Sequence, residues 1–208
     1  MIKRCLDLPT ALVLTLLLLP VMIVTAIAVR FKLGSPILFR QLRPGKEMKP
    51  FTLLKFRTMT DGVDPSGKLL PDEQRLTPFG LKLRRLSLDE LPQLFNVIRG
   101  DMSLIGPRPL LIRYLPYFTE EEKKRFSIRP GITGLAQING RNNIGWGGRF
   151  ALDIKYVEEQ TLVMDAIIVW QTIVKVIGRK DVAEAPSLTL PDLDDERRLW
   201  GRKDASKS

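Results

Sequence analysis

The residues best suited to chemistry in this sequence are two adjacent carboxylates, Asp89 and Glu90, within Ser87-Leu88-Asp89-Glu90-Leu91-Pro92. The spacing of Ser87 and Glu90 is that of a helix capping box. Alternatively the helix begins nearer Asp89, because Pro92 has no backbone N–H and is tolerated in a first turn. Either start places both carboxylates at a helix N-terminus, where free N–H groups favour phosphate. Acids are also common in first turns for structural reasons alone, so the spacing leaves both interpretations open.

Arginines that could bind phosphate accompany this acid pair. Arginine presents a planar fork of N–H donors, and a loop stiffened by proline has little entropy left to lose on binding. The alternative is that these are ordinary solvent-exposed arginines. That alternative explains one such loop easily, but it explains three of them less well. The candidates are Arg84 and Arg85 one turn upstream, Arg108 in Gly106-Pro107-Arg108-Pro109, Arg129 in Arg129-Pro130-Gly131-Ile132-Thr133-Gly134, and Arg141 after the Asn139-Gly140 turn.

The composition restricts the chemistry further. The 208 residues include 33 Lys and Arg against 23 Asp and Glu, a net charge of +10, and no His. A basic balance suits an anionic partner such as nucleic acid, a lipid surface or a phosphorylated substrate. Without His, catalysis must rely on carboxylates, Lys, Arg, Tyr or a hard metal bound by oxygen. The single Cys5 excludes an intrachain disulfide, which fits a reducing compartment.

Two apparent motifs do not support a further function. Residues 62–68 have the spacing of a phosphate-binding P-loop, but Leu69 stands where Ser or Thr must bind magnesium. Asp192 and Asp194 are only weakly similar to a metal-binding acid pair of glycosyl transferases, because they lie in a charged tail.

The segment from Leu8 to Val29 contains no charged residue and has the length of a membrane helix. A straight helix of this length would extend roughly 33 Å, enough to cross a bilayer. Pro20 lies near its middle, where proline kinks or breaks a helix. A secretory signal peptide is less favoured, since the apolar run is long for one. The positive-inside rule gives no direction for a crossing, because basic residues flank both ends: Lys3, Arg4, Arg30 and Lys32. The residues therefore leave open a crossing and a broken helix that enters and leaves by the cytoplasmic face.

After this segment the pattern predicts short strands and then helices. Residues 37–39 and 51–54 are rich in β-formers and flank a turn at 43–45. Helices are predicted from Thr77 to Leu86, from Ser87–Asp89 to just before Gly100, and over 119–126 and 148–178. Residues 61–75, 101–110 and 127–147 are predicted loops, and the residues after 180 a loose charged tail. Residues 161–178 are apolar but include Asp165 and Lys175, so they predict a buried or surface-lying helix.

Together these segments resemble the small monotopic polyprenol-phosphate phosphoglycosyl transferases of the bacterial sugar transferase family. The similarity extends to about residue 178 and is closest to the minimal members that initiate N-glycan assembly. One departure is Leu19-Pro20, since the family often has Ser-Pro at its helix break. The resemblance rests on the Pro-broken apolar segment and on Lys55-Phe56-Arg57-Thr58-Met59, Ser87-Leu88-Asp89-Glu90-Leu91-Pro92-Gln93, Gly106-Pro107-Arg108-Pro109, Arg129-Pro130-Gly131-Ile132-Thr133-Gly134 and Asn139-Gly140-Arg141-Asn142.

The resemblance implies an α+β, mainly helical fold in three parts. Residues 1–32 would form a re-entrant membrane helix broken at Pro20. Residues 33–180 would form a small cytoplasmic catalytic domain with interfacial amphipathic helices and a few short strands. Residues 181–208 would form a charged C-terminal tail. The implied location is the cytoplasmic face of the bacterial inner membrane.

The implied reaction transfers a sugar 1-phosphate from a UDP-sugar to polyprenol (undecaprenyl) phosphate, releases UMP and initiates glycoconjugate assembly. Asp89 would be the nucleophile, and Glu90 would hold the metal or assist proton transfer. Both carboxylates are implied ligands of Mg²⁺. The implied partners also include membrane lipids and downstream glycosyl transferases, but not nucleic acid. The substrate-binding cations expected are Lys55, Arg57, Arg84, Arg108, Arg129 and Arg141.

Two other classes of function are weighed against this hypothesis. A membrane-tethered glycosyl transferase would move the sugar without its phosphate and would release UDP. A non-enzymatic membrane-bound module for anions or nucleic acid would fit the positive charge, but the sequence lacks a zinc-finger pattern and an aromatic RNA-binding motif.

Overall fold

The computed structural model describes residues 2–140, 144–178 and 192–198. Within these ranges the protein is mainly helical, with four short strands that form two two-stranded sheets, β1 with β2 and β3 with β4. The strands are β1 (Leu38–Pro44), β2 (Pro50–Phe56), β3 (Ser103–Ile105) and β4 (Gly131–Thr133). The helices are α1 (Ile2–Leu33), α2 (Asp72–Arg75), α3 (Pro78–Arg85), α4 (Gln93–Arg99), α5 (Glu120–Lys123), α6 (Leu135–Ile138), α7 (Trp146–Glu159) and α8 (Leu162–Gly178).

Helix α1 is long and apolar enough to cross a membrane by length and composition, the one such helix in the described part of the chain. It continues through Pro20, so the predicted break does not interrupt the helix. Proline removes one backbone hydrogen bond and can bend a helix without ending it. The middle of α1 is exposed, with Leu16 at 72% and Leu17 at 68% of their accessible surface.

Both ends of α1 contact the same stretch of the chain, residues 52–104. At the N-terminal end, Arg4 donates to the carbonyls of Val97 and Ile98 at the end of α4. The buried Asp7 carboxylate accepts from Ser103 Oγ at 2.7 Å. At the other end, residues of α1 pack in a hydrophobic cluster with residues of β2 and α3: Met22, Val29, Leu33, Phe56 and Leu83.

Helix α3 begins where the sequence predicts it. Thr77 is the N-cap, its side chain accepts from Gly80 N at 3.0 Å, and Pro78 occupies the first turn. Gly80 allows a close approach, because a Cβ there would lie 1.8 Å from the Thr58 carbonyl oxygen. The helix therefore lies directly against the chain that leaves β2.

The predicted helix over 148–178 is wrong in one respect, since it is two helices. Helix α7 ends at Glu159, and Gln160 has a non-helical backbone (φ −55°, ψ 127°). The Thr161 hydroxyl then accepts from Met164 N at 3.1 Å, the bond of an N-cap. The predicted loops at 101–110 and 127–147 also contain structure that the sequence analysis missed, namely β3, β4, α6 and the first turn of α7.

The chain divides into two compact units. The first comprises residues 1–41, 52–104 and 173–182, and the second comprises residues 42–51, 105–172 and 183–208. Residues 33–180 are thus divided between two units. The first unit is organised around the hydrophobic cluster that α1 shares with β2 and α3.

The core of the second unit is aromatic. Tyr114 meets Trp146 edge to face, and Phe118 meets Phe126 in the same way. Leu193 is fully buried in this cluster, and the Tyr114 hydroxyl donates to Asp192 at 2.6 Å. The prediction of a loose tail is therefore wrong for residues 192–198, which pack against the second unit.

Candidate active site

Asp89 and Glu90 lie in a single turn of 3₁₀ helix, Leu88–Glu90, between α3 and α4. Ser87 before it is left-handed (φ 53°), an uncommon conformation for a residue other than glycine, and its side chain makes no capping bond. Helix α4 begins only at Gln93, after Pro92. Neither predicted helix start is therefore correct: the carboxylates precede α4 instead of occupying its first turn.

Hydrophobic residues on both sides fix this turn. Leu88 and Leu91 pack against the cluster of the first unit that contains Phe56 and Leu83. Asp89 between them is 6% exposed. The two leucines therefore act as anchors that determine where the intervening carboxylates lie.

Lys55 of β2 contacts the acid pair directly. Its Nζ lies 2.7 Å from Glu90 Oε1, and the two side chains are 19% and 18% exposed. A charge-assisted hydrogen bond with this degree of burial is stronger than a surface ion pair, because water screens it less. The structure thus brings together Lys55 and Glu90, two of the residues that the sequence analysis selected.

Arg84 lies on the face of α3 beside the chain that leaves β2. Its Nε donates to Thr58 Oγ1 at 3.1 Å. Arg57 is buried, and its guanidinium donates to the carbonyls of Leu33 and Ser35 at 3.0 and 2.8 Å. It also lies 3.1 Å from the Asp61 carboxylate. These contacts make Arg57 a clamp between the end of α1 and the end of β2, and its predicted role as a substrate ligand stays a prediction.

Asn96, which belongs to none of the sequence motifs above, positions β2 relative to α4. Asn96 has no exposed surface. Its side chain accepts from Leu54 N at 3.1 Å and donates to Thr52 O at 2.7 Å. Because α4 follows the acid pair and β2 carries Lys55, these bonds help to set the Lys55–Glu90 distance. A signal was present, since a lone amide interrupts the apolar run Leu94-Phe95-Asn96-Val97-Ile98.

Arg108 and Arg129 belong to the second unit, and Arg141 lies outside the described residues. Arg108 is partly buried and Arg129 is exposed. The loop of Arg108 is closely packed, because a Cβ on Gly131 would lie 2.1 Å from Gly106 N. Gly106 N donates to Thr133 O at 2.9 Å and Gly131 N donates to Pro107 O at 3.0 Å.

Positive charge accumulates around Arg108. Burial and the charge of Arg108 lower the pKa of Arg43 to about 10. Burial and Arg108 also lower the pKa of Arg149, whose guanidinium lies 5.0 Å from the Trp146 ring centroid. Repulsion between neighbouring guanidinium groups is relieved when an anion binds among them. Arg43 and Arg149 were not selected from the sequence, where neither lies in a proline-stiffened loop.

Among the described residues, two groups of carboxylates have oxygen ligands suitable for a hard metal ion. Asp89 and Glu90 supply adjacent carboxylates, the donor type that Mg²⁺ prefers. Asp192, Asp194 and Asp195 also lie close together, but Asp192 is bonded to Arg113 and Asp194 lies 3.8 Å from Arg198. Because Asp192 and Asp194 are paired with arginines, we interpret this second group as part of the packing of residues 192–198.

Comparison with known proteins identifies the family. The family model described as "Bacterial sugar transferase" matches residues 1–179. The chain is 50% identical over 188 residues to an "Uncharacterized sugar transferase EpsL" of Bacillus subtilis, covering 90% of this chain and 93% of that protein. It is 41% identical over 186 residues to a "UDP-glucose:undecaprenyl-phosphate glucose-1-phosphate transferase" of Caulobacter vibrioides, covering 82% of this chain and 68% of that one. A protein of the same description from Escherichia coli is 36% identical over 192 residues, covering 84% of this chain and 40% of its own length.

The chain therefore belongs to the bacterial sugar transferase family. The resemblance to polyprenol-phosphate phosphoglycosyl transferases is confirmed.

Proposed function

We propose that this protein transfers a sugar 1-phosphate from a UDP-sugar to undecaprenyl phosphate and releases UMP. Relatives described as glucose-1-phosphate transferases acting on UDP-glucose and undecaprenyl phosphate support the donor and acceptor classes. The observation that carries the proposal is the turn with buried Asp89 and half-buried Glu90, with Lys55 Nζ 2.7 Å from Glu90. It offers a nucleophile beside a second, oriented carboxylate.

The reaction would proceed in two displacements. An oxygen of the Asp89 carboxylate forms a bond to the phosphorus that carries the sugar. The bond from this phosphorus to the bridging oxygen breaks, and UMP leaves with the electron pair. A phosphate oxygen of undecaprenyl phosphate then attacks the same phosphorus and releases the Asp89 carboxylate. Covalent catalysis thereby divides one difficult transfer into two easier steps.

The surrounding residues have separate roles in this proposal. Lys55 holds the Glu90 carboxylate in one orientation, while the fixed 3₁₀ turn presents Asp89. Asp89 and Glu90 would hold Mg²⁺, which would supply neutralisation of phosphate charge. The arginines of the second unit, including Arg108, whose charge acts on both Arg43 and Arg149, would bind donor or acceptor phosphate.

We further propose that α1 is re-entrant and that the protein acts at the cytoplasmic face of the membrane. A single crossing would place the two ends of α1 on opposite sides of the bilayer. Arg4 and Asp7 at one end and Leu33 at the other all contact the first unit, which supports ends on one side. The exposed apolar middle of α1 and the exposed apolar residues of α8, such as Trp170 at 68%, supply surface for lipid contact.

The test is product analysis combined with trapping of the intermediate. Purified protein receives a panel of UDP-sugars with undecaprenyl phosphate and Mg²⁺, and the released nucleotide is measured. Labelled UDP-sugar without acceptor should attach phosphosugar to Asp89, as identified by peptide mapping. Asp89→Asn should abolish turnover, Glu90→Gln should impair it severely, and chelation of the metal should stop it. Asp72→Asn, a change at an exposed carboxylate, is the matched control.

The competing outcomes are distinct. Release of UDP would identify a glycosyl transferase and overturn the proposal. Label on a residue other than Asp89, or near wild-type turnover of Asp89→Asn, would overturn the assignment of the nucleophile. Retention on RNA without turnover of any UDP-sugar would favour the binding module instead.

A further inference from the structure

The second unit contains a buried ion pair that stability alone explains poorly. Arg125 and Asp153 are 3% and 4% exposed. Arg125 Nε and Nη2 donate to Asp153 Oδ2 at 3.0 and 2.7 Å. Burying two charges costs desolvation free energy, and replacement of such a pair by packed apolar residues is often neutral or stabilising. We therefore looked to the neighbouring contacts of this buried pair for a role besides stabilisation.

Arg125 also bonds to the backbone of the loop that carries Arg108 (residues 106–109), called the Arg108 loop below. Arg125 Nη2 also donates to the Arg108 carbonyl at 2.7 Å. The charge of Asp153 fixes the guanidinium from one side, and the rings of Phe118, Phe126 and Phe150 surround it with centroids 5.2–5.7 Å from its central carbon. Aromatic faces attract a guanidinium and restrict its movement. The donor aimed at Arg108 is thus held rigidly.

Two further bonds to this loop come from the backbone. Gly106 N donates to Thr133 O, and Gly131 N donates to Pro107 O. Pro107 and Pro109 restrict the dihedral angle φ on both sides of Arg108. Arg125 supplies the third bond, at the residue whose side chain would bind phosphate. These contacts fix the Arg108 backbone and with it the direction of the Arg108 Cα–Cβ bond.

We infer that the buried Arg125–Asp153 pair positions Arg108 for binding the anionic substrate. Arg125 is a positioning residue that acts through the Arg108 backbone, and Asp153 orients Arg125. This inference rests on the proposed function, in which Arg108 binds donor or acceptor phosphate. A displacement of about 1 Å in a substrate-binding group can lower activity on the order of 100-fold, so a backbone contact of this kind can matter for catalysis.

The test is a double-mutant cycle with variants that retain the fold. Arg125→Met with Asp153→Leu removes both charges together and keeps apolar volume among the phenylalanines. We expect an unfolding midpoint close to that of the wild type and a fall of about 10- to 100-fold in kcat/KM, carried mainly by KM for UDP-sugar or for undecaprenyl phosphate. In an Arg108→Ala background the same replacement should cause little further loss, because residues that act through one contact are not additive.

The controls separate positioning from stability. Thr119→Ala removes the cap of α5 in the same unit, where the Thr119 hydroxyl accepts from Glu122 N. It should lower the unfolding midpoint and leave KM unchanged. If the paired replacement unfolds the protein, Arg125→Lys replaces it in the cycle, because lysine keeps the charge but loses the fork that reaches Asp153 and Arg108 together.

The outcomes distinguish this inference from the proposed function. Wild-type kinetics of the paired replacement, or its full effect repeated in the Arg108→Ala background, would overturn the inference and leave the proposed reaction intact. Wild-type kinetics of Arg108→Ala itself would overturn both the role of Arg108 and the inference, while Asp89 would still be tested by trapping.

Discussion

The contact between Lys55 and Glu90 allows a quantitative prediction about the active site. Lys55→Met keeps the unbranched chain but removes the charge and all N–H donors. A hydrogen bond to a charged group contributes about 1.5–3 kcal/mol, and the low exposure of this pair places it in that range. If Glu90 must be oriented in the transition state, kcat/KM should fall roughly 10- to 150-fold.

The assay is UMP release with separate titrations of UDP-sugar and undecaprenyl phosphate, and thermal unfolding is measured in parallel. A fall in kcat at unchanged KM indicates that Lys55 acts through Glu90. A rise in KM for the donor alone indicates the direct phosphate contact expected from the sequence. Lys55→Arg should retain part of the activity, because it keeps a cation that can donate to Glu90.

The matched control is Lys49→Met. Lys49 lies 2.9 Å from Glu47, nearly the same separation, but the two side chains are 80% and 56% exposed. Water and salt screen an exposed pair of this kind, so its loss has little effect and this variant should retain wild-type turnover. Wild-type kcat/KM in Lys55→Met, with the fold intact, would refute the reasoning that the pair orients Glu90.

Three further predictions follow from other contacts. Cysteine labels at Lys3 and Lys32 should react from the same side of a sealed vesicle, because both ends of α1 contact one unit; labelling from opposite sides would establish a crossing. Asn96→Ala should destabilise the protein by about 2–4 kcal/mol, measured by chemical denaturation, because it removes bonds to Leu54 N and Thr52 O, and an unchanged midpoint would contradict this. Leu193→Ala should cost about 2–5 kcal/mol, since Leu193 is fully buried in the aromatic core, and a negligible cost would mean that residues 192–198 contribute little to stability.

Local patterns in the sequence predicted the elements that depend on local chemistry. Thr77 and Pro78 mark the start of α3 correctly, because capping and the first turn involve residues within a few positions of each other. Residue type and spacing indicate the acid pair, but its catalytic role rests on the family resemblance and stays a prediction. Its setting was predicted wrongly, because Ser87 adopts a left-handed conformation and the turn is 3₁₀, which the capping-box spacing does not reveal.

Contacts between distant residues could not be predicted in the same way. Asn96 bonds the backbone of β2 more than forty positions away, and Arg125 bonds Asp153 across 28 positions. A buried polar residue in an apolar run indicates that a partner exists but does not identify it. The predicted single helix over 148–178 is wrong for a local reason. Glu158, Glu159 and Gln160 before the break are helix formers, and the Thr161 cap that starts α8 is one hydroxyl contact.

The hydrophobic cluster of the first unit connects the apolar helix to the turn that carries Asp89 and Glu90. Leu88 and Leu91, which flank Asp89 and Glu90, pack in the same cluster as Met22, Val29 and Leu33 of α1. A close-packed core transmits displacement because it has little free volume. If α1 is embedded in the membrane as proposed, its depth also fixes the height of Asp89 relative to the lipid surface. The phosphate of a polyprenol acceptor lies at that surface, so one cluster would serve both to anchor the protein and to hold the nucleophile within reach of its second substrate.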